Sequence, residues 1–234
     1  MTPNSTASGP PADDRPYTHE MVVVHRVFRR ESALLPRLVR AVPHGGTRRA
    51  GEVVAYLTDY VGGLHHHHTL EDELIWPRLR ERSADSADKE LTARMEEQHE
   101  RIDRTLATVG ERAPRWQRSA DSATGEALAE ALDEHRAALE EHLDDEERLI
   151  LPLVAEHLTV AEWDEIGRRG LDPLPKDKVM LALGAILEEA TPQERAYFLG
   201  RAPLLGRLVW QLVGRRQYAA FRRSLLVGVG EAAR

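Results

Sequence analysis

At 234 residues, with 41% hydrophobic and 30% charged residues, the chain is long enough for one large or two small domains and has the composition of a globular protein. It contains no cysteine, which excludes disulfides, thiolate zinc sites, iron–sulfur clusters and cysteine nucleophiles and leaves nitrogen and oxygen as the metal ligands. The net charge of −7 is uneven, because residues 171–234 carry 10 Lys and Arg against 6 Asp and Glu while the first 170 residues are acidic.

Residues 1–16 are rich in Pro, Ser, Thr and Asp without apolar periodicity, the composition of a disordered arm. They lack the basic and apolar regions of a secretory signal, and no apolar run approaches the ~18 residues of a membrane span, so a cytoplasmic protein is expected. From Tyr17 the pattern is helical. Turn signals at Pro43-His44-Gly45-Gly46, Ser83 to Ser86, Ala113-Pro114 and Ser119 to Gly125 predict four long helices over 18–42, 47–82, 87–113 and 126–157. Thr159 with Glu162 is a capping box that opens a short fifth helix ending at Gly170. Leu171 to Pro175 then divides a domain at 17–170 from a helical extension at 171–234, where Thr191 and Glu194 form a second capping box with Pro192 at the first helical position.

Each long segment carries an apolar seam in alternating steps of four and three. Examples are Phe28, Leu35 and Val39 in the first, Val53, Leu57 and Leu64 in the second, Ile102, Leu106 and Val109 in the third, and Leu128, Leu132 and Leu139 in the fourth. Short connections make an all-α, antiparallel up-down four-helix bundle the expected fold, with the helical extension appended.

Polar residues interrupt every seam: His25, then His67 and Glu71, then His99, then His142 and Glu146. A buried His or Glu requires a hydrogen-bond partner, a counter-charge or a metal. The segments HHTLEDELIWP and HLDDEERLILP both place His and Glu four apart with Pro six beyond the Glu, which is an internal repeat. His25 precedes His67 by about as much as His99 precedes His142, so two helix pairs each supply one His and one HxxxE. A spacing of four puts both side chains on one face, one turn apart. Four imidazoles and two carboxylates therefore converge as candidate metal ligands.

His25 in HRVFRRE, His67 and Glu71, His99 in EEQHERI, and His142 and Glu146 resemble the hemerythrin-like family, the HHE cation-binding domains, over about residues 18–157. The order H, HxxxE, H, HxxxE resembles the bacterial subgroup. That resemblance implies a non-haem centre of two Fe ions joined by two carboxylates and an oxo or hydroxo group, acting on dioxygen, nitric oxide or peroxide, or sensing iron and oxygen. Imidazole and carboxylate also suit Mn or Zn. Two departures separate the chain from the oxygen carriers of the family. Met95 stands where those have a further His four before His99, and the last carboxylate, five after its His in the carriers, would be Glu147 rather than Glu146. Repeat symmetry ranks Glu146 first. With fewer protein ligands the centre is open, so peroxide disproportionation (a catalase-like activity) or reaction with nitric oxide is expected over oxygen carriage.

Tyr60 and His135 stand one heptad before His67 and His142 at repeat-equivalent positions, as proton donors or extra ligands beside the metal or as packed core residues. His65 and His66 read as a solvated run, and His68 and Asp72 point about 100° from the seam. No phosphate-binding loop, Rossmann fingerprint, nucleophile elbow or HExxH is present, and no second ExxH stands on a seam to match Glu96 and His99 as a ferritin-type site requires. In the extension, Leu204, Leu208, Trp210, Leu212 and Phe221 are expected to pack over the bundle or form a homo-oligomer contact. The acidic body argues against nucleic acid or membrane as partner. The competing functional class is an iron- or oxygen-sensing module that signals through residues 171–234.

Overall fold

The computed structural model describes residues 15–171 and 174–230, which form helices and no strand. The expected disordered arm therefore lies outside the described residues except for Arg15 and Pro16, as do Asp172 and Pro173 of the linker. In chain order the elements are α1 (His19–Arg40), α2 (Thr47–Leu70), a π-helical turn (Glu71–Ile75), α3 (Trp76–Arg82), α4 (Ser86–Ser119) and α5 (Ser122–Asp145). A second π-helical turn (Glu146–Ile150), α6 (Leu151–His157), α7 (Val160–Arg169), α8 (Lys176–Glu189) and α9 (Pro192–Arg201) follow. The chain closes with α10 (Leu204–Val209), a third π-helical turn (Trp210–Gly214) and α11 (Arg215–Leu225). No described helix is long and apolar enough to cross a membrane.

The third long helix runs further than its turn signals indicate. It passes through Pro114 to Ser119, because Val109, Ala113 and Trp116 continue the buried seam while Pro114 lies on the exposed face, where the carbonyl that the proline cannot bond is open to solvent. Ala120, at φ 46°, ends α4, and the Asp121 carboxylate accepts hydrogen bonds from the Ala123 and Thr124 N–H groups, both at 3.0 Å, to open α5. Gly125 belongs to the helix and not to a turn. A Cβ there would stand 2.9 Å from Nε1 of the buried Trp116, so only glycine lets the two helices close.

Both π-helical turns begin at a seam glutamate. The Trp76 N–H bonds the Glu71 carbonyl and the Leu151 N–H bonds the Glu146 carbonyl, five residues back in each case. Pro77 and Pro152 follow at once and explain the distortion. Each lacks an N–H, and its ring would strike the carbonyl four residues earlier in a regular helix, so the chain takes up one extra residue before it.

Buried apolar side chains form two clusters, one containing Leu35, Leu57, Ile102, Trp116 and Leu132 and a smaller one containing Met21, Trp76, Met95, Val154 and Trp163. Each fully buried side chain of this size contributes roughly 1.5–3 kcal/mol. On every long helix the passage between clusters falls at the seam histidines. Met21 precedes His25 and Leu34 follows it; Leu64 precedes His67 and Leu70 follows. On α4 Met95 precedes His99 and Ile102 follows, and in the fourth long helix Leu139 and Leu143 flank His142 before Ile150 of the second π-helical turn joins the smaller cluster. The first and third helices thus run from the smaller cluster to the larger and the second and fourth run back, which makes the bundle antiparallel and places a polar layer between two apolar ones.

The extension packs on this bundle. Leu225 joins the larger apolar cluster, Phe221 lies 5.7 Å from the Tyr56 ring, and Trp210 is buried. Buried Glu31 of α1 collects Arg30 at 2.6 Å, Arg222 at 3.3 Å and the Tyr56 hydroxyl. Leu204, Leu208 and Leu212, by contrast, are 73%, 54% and 66% exposed and do not cover the bundle. The capping box at Thr191 forms as its sequence indicates, and Glu194 also receives Arg26 of α1 at 3.0 Å.

Candidate metal centre

The polar layer contains two groups of side chains able to hold an ion. One comprises His68, Glu71, His99 and His142, the other His25, His67, Glu71 and Glu146, and within each the ligand atoms lie within 4.8 Å of one another. A first-row metal about 2.1 Å from its ligands holds opposite donors about 4.2 Å apart, so both groups have the dimensions of a coordination sphere. Glu71 belongs to both. The six residues marked by the seams are therefore all brought into this layer.

His68 joins them, where the seam pattern leaves it outside. The seam branches at Leu64: His67 stands three residues beyond it and His68 four, and both steps stay on the inner stripe of a helix. The repeat-equivalent position is Leu143, also fully buried, so the sequence repeat gave no sign of a ligand there. The two groups are consequently unequal, one with three imidazoles and one carboxylate and the other with two of each.

Outer partners aim the rings. His25 Nδ1 lies 3.0 Å from Glu147 Oε1, and Arg29 holds that carboxylate at 2.6 Å. His99 Nδ1 lies 2.9 Å from Asp72 Oδ1, which also accepts from the Trp76 indole at 2.9 Å. His142 Nδ1 meets Gln98 Oε1 at 3.3 Å, and Gln98 in turn donates to Asp145 at 2.9 Å. In each ring the outer contact occupies Nδ1 and turns Nε2 inward, the arrangement that fixes the tautomer of metal-binding histidines. Glu147 is thus a member of neither ligand group and serves His25 from behind. Asp72, one residue after Glu71, does the same for His99.

Of the inward atoms, Nε2 of His99 and Nε2 of His142 meet each other at 3.2 Å, and the rest have no partner. Nε2 of His25, His67 and His68 and both carboxylate oxygens of Glu71 and Glu146 are buried without a hydrogen-bond partner. His67 Nε2 stands 3.0 Å from Glu71 and His25 Nε2 3.2 Å from Glu146, but these approaches are not directed hydrogen bonds. Leaving so many polar atoms unsatisfied in a core is costly, and a cation at each focus would satisfy all of them.

The electrostatics of the bare ligands agree with that. Burial drives His67 and His68 well below the usual histidine range, with the neighbouring histidines adding to it, and it takes His142 down to about 3. Burial opposes charge on His25 and His99 as well, but Glu146 and Glu147 raise His25 to about 9, and Asp72 and Glu71 raise His99 to about 10. Burial and the adjacent Glu146 push Glu71 up, whereas His25 overcomes burial and brings Glu146 down. His67, His68 and His142 are thus neutral and open to a cation, whereas His25 and His99 keep a proton beside their carboxylates that a bound cation would displace.

Tyr60 and His135 are not in either group. They bond each other, Tyr60 Oη to His135 Nε2 at 2.8 Å, and the Phe28 ring stands between Tyr60 and His67, with centroids 6.3 and 5.0 Å away. Met95 is fully buried in the smaller apolar cluster and is a member of neither ligand group. His66 bonds the Arg169 carbonyl at 2.9 Å and His65 is exposed.

The family model for the Hemerythrin HHE cation binding domain matches residues 17–154, which takes in all of the candidate ligands and both π-helical turns. A search of curated proteins and a search of solved structures each returned no match. Matched over more than half its length by that family model, with the candidate His and Glu ligands gathered in one buried layer, the chain belongs to the hemerythrin family, as an HHE cation-binding domain protein.

Proposed function

We propose that this protein holds two iron ions and reacts with a small oxidant: hydrogen peroxide, nitric oxide or dioxygen. The observation that carries this is the sharing of Glu71 between two adjoining ligand groups, with Glu146 beside it, because a carboxylate common to two spheres is how a protein holds a pair of ions. His25, His67, Glu71 and Glu146 would hold one ion and His68, Glu71, His99 and His142 the other. Bound iron would supply electron transfer to or from the oxidant. Four protein donors for each ion, in a sphere of about six, leave about two positions per ion for solvent or substrate.

The remaining residues shape what those positions can do. Asp72, Glu147 and Gln98 keep the Nε2 atoms of His99, His25 and His142 at fixed directions, and the apolar layers above and below exclude bulk water. His67, with 11% of its side chain exposed, is the candidate ligand nearest solvent and marks the side from which a small molecule enters. Met95 supplies no imidazole, so room for a small oxidant would remain beside both ligand groups. We therefore favour peroxide disproportionation or nitric oxide chemistry over reversible carriage. Protein loaded anaerobically should contain about two irons per chain by the count of ligand groups. Mixing it with oxygen decides the reaction: irreversible oxidation with conversion of peroxide to oxygen supports this function, and an adduct that dissociates under low oxygen pressure overturns it.

A sensing role has one specific support. Beside His25 on α1, Arg26 binds Glu194 and Arg30 binds Glu188 and Glu189 of the extension at 2.9 and 2.7 Å, so a shift of α1 on iron loading would be felt there. Iron-dependent protease protection of residues 176–225 without oxidant turnover would favour this alternative.

A further inference from the structure

Tyr60, His135 and Thr105 form a buried hydrogen-bonded chain whose proton positions are fixed by elimination. The Thr105 hydroxyl donates to the Ile102 carbonyl at 2.7 Å, so its oxygen can only accept from His135 Nδ1–H at 3.1 Å. With Nδ1 carrying the proton, Nε2 is the basic nitrogen, and the Tyr60 hydroxyl donates to it at 2.8 Å. Tyr60 is 7% exposed and His135 fully buried. Burial takes His135 down to about 4, so the ring is neutral and free to accept a proton at neutral pH.

A buried tyrosine beside a neutral base is an unusual use of core space, since Phe and Leu would pack with no polar atoms to satisfy. The surroundings give it a direction. On one side, Phe28 bridges Tyr60 to His67, a candidate metal ligand, by centroid separations of 6.3 and 5.0 Å. On the other, Thr105 lines a surface cleft of about 250 Å³ together with Arg101, Arg104, Thr108, Glu134 and Ala138. The chain thus begins one aromatic ring from the metal layer and ends one hydroxyl from water.

We infer that Tyr60 and His135 are a redox-active pair, in which Tyr60 gives up one electron and His135 takes its proton. The electron goes to a one-electron oxidant, in the working protein an oxidised metal ion at the centre, which is reduced by one electron. The Tyr60 O–H bond breaks, its proton forms an N–H bond at His135 Nε2, and a neutral phenoxyl radical and an imidazolium remain. The phenolate never forms, which matters because burial disfavours it strongly. The imidazolium keeps Thr105 as acceptor and lies near the cleft, where solvent offsets its charge. The identity of the physiological electron acceptor rests on the metal function proposed above; the pair itself rests on the geometry alone.

The test is electron paramagnetic resonance of full-length, iron-loaded protein frozen after rapid mixing with hydrogen peroxide, with iron content measured on the same samples. A tyrosyl radical should form, disappear in Tyr60→Phe, and fall at least tenfold in His135→Gln, whose amide can accept the hydrogen bond but cannot hold the proton. A packing role would leave that spectrum unchanged in both variants, and an unchanged spectrum, or no radical in iron-replete protein, overturns the inference. If the chain takes up no iron, the metal function fails separately, and metal-free protein exposed to photogenerated ruthenium(III) tris-bipyridyl still decides the pair. A radical lost in Tyr60→Phe and diminished in His135→Gln sustains it, and the absence of such a difference overturns it.

Discussion

The His68 ring stacks on that of His99 with centroids 4.0 Å apart and planes 12° from parallel, and the two imidazoles serve the same ligand group. Their Nδ1 and Nε2 atoms are not treated alike: His99 is anchored by Asp72, while His68 Nε2 has no hydrogen-bond partner at all. Coordination would give such a neutral, buried, unpartnered imidazole its missing partner. His68→Leu, which places at this position the residue the repeat has at 143, should fold and should lower bound metal from about two ions per chain to about one. Metal analysis of the purified variant checks this, and two retained ions would remove His68 from the ligand set.

Glu71 and Glu146 differ in the same way. Glu71 serves both groups and Glu146 one, so Glu71→Ala should abolish stable loading of both ions whereas Glu146→Ala should leave about one. Equal metal content in the two variants would contradict the shared position of Glu71.

Asp72 and Glu147 act through the histidines they hold. Asp72→Ala and Glu147→Ala leave every ligand in place but free the rings of His99 and His25, and each should weaken metal binding by roughly 10- to 100-fold. Competition with a chelator of known affinity measures the change. A loss of a whole ion at saturating metal would instead make the carboxylate a ligand.

His135 gives a pH dependence that requires no metal. Burial holds its folded-state value at about 4, against 6.5 for the exposed ring, so the unfolded chain binds the extra proton as acidity rises. The stability this neutral ring contributes is present in full above pH 6.5 and is lost progressively between 6.5 and 4. His135→Gln should therefore lose about 3 kcal/mol less than the parent protein between pH 6.5 and 4, at ~1.4 kcal/mol per pH unit. Denaturant unfolding of metal-free protein at a series of pH values provides the difference, and parallel pH profiles would refute it.

The sequence by itself determined the helices, the bundle and six members of the polar layer. Periodicity depends only on which residues share a face, and a His or Glu on an apolar face is visible as soon as the seam is written out. The capping boxes at Thr159 and Thr191 were legible for the same reason, being local chemistry within one turn. What the sequence could not determine were distances between helices. Gly125 and Pro114 look like breaks until Trp116 is seen packed across them, and His68 looks displaced from the seam until α2 is placed with both steps from Leu64 facing inward. The π-helical turns follow from Pro77 and Pro152, yet only the assembled bundle shows that each begins at a glutamate of the polar layer. The pairing of His25 with Glu147, of His99 with Asp72 and of Tyr60 with His135 joins residues 122, 27 and 75 positions apart. Such contacts are set by how four helices rotate about their own axes to bury two apolar layers, a property of the packed core that no single seam contains.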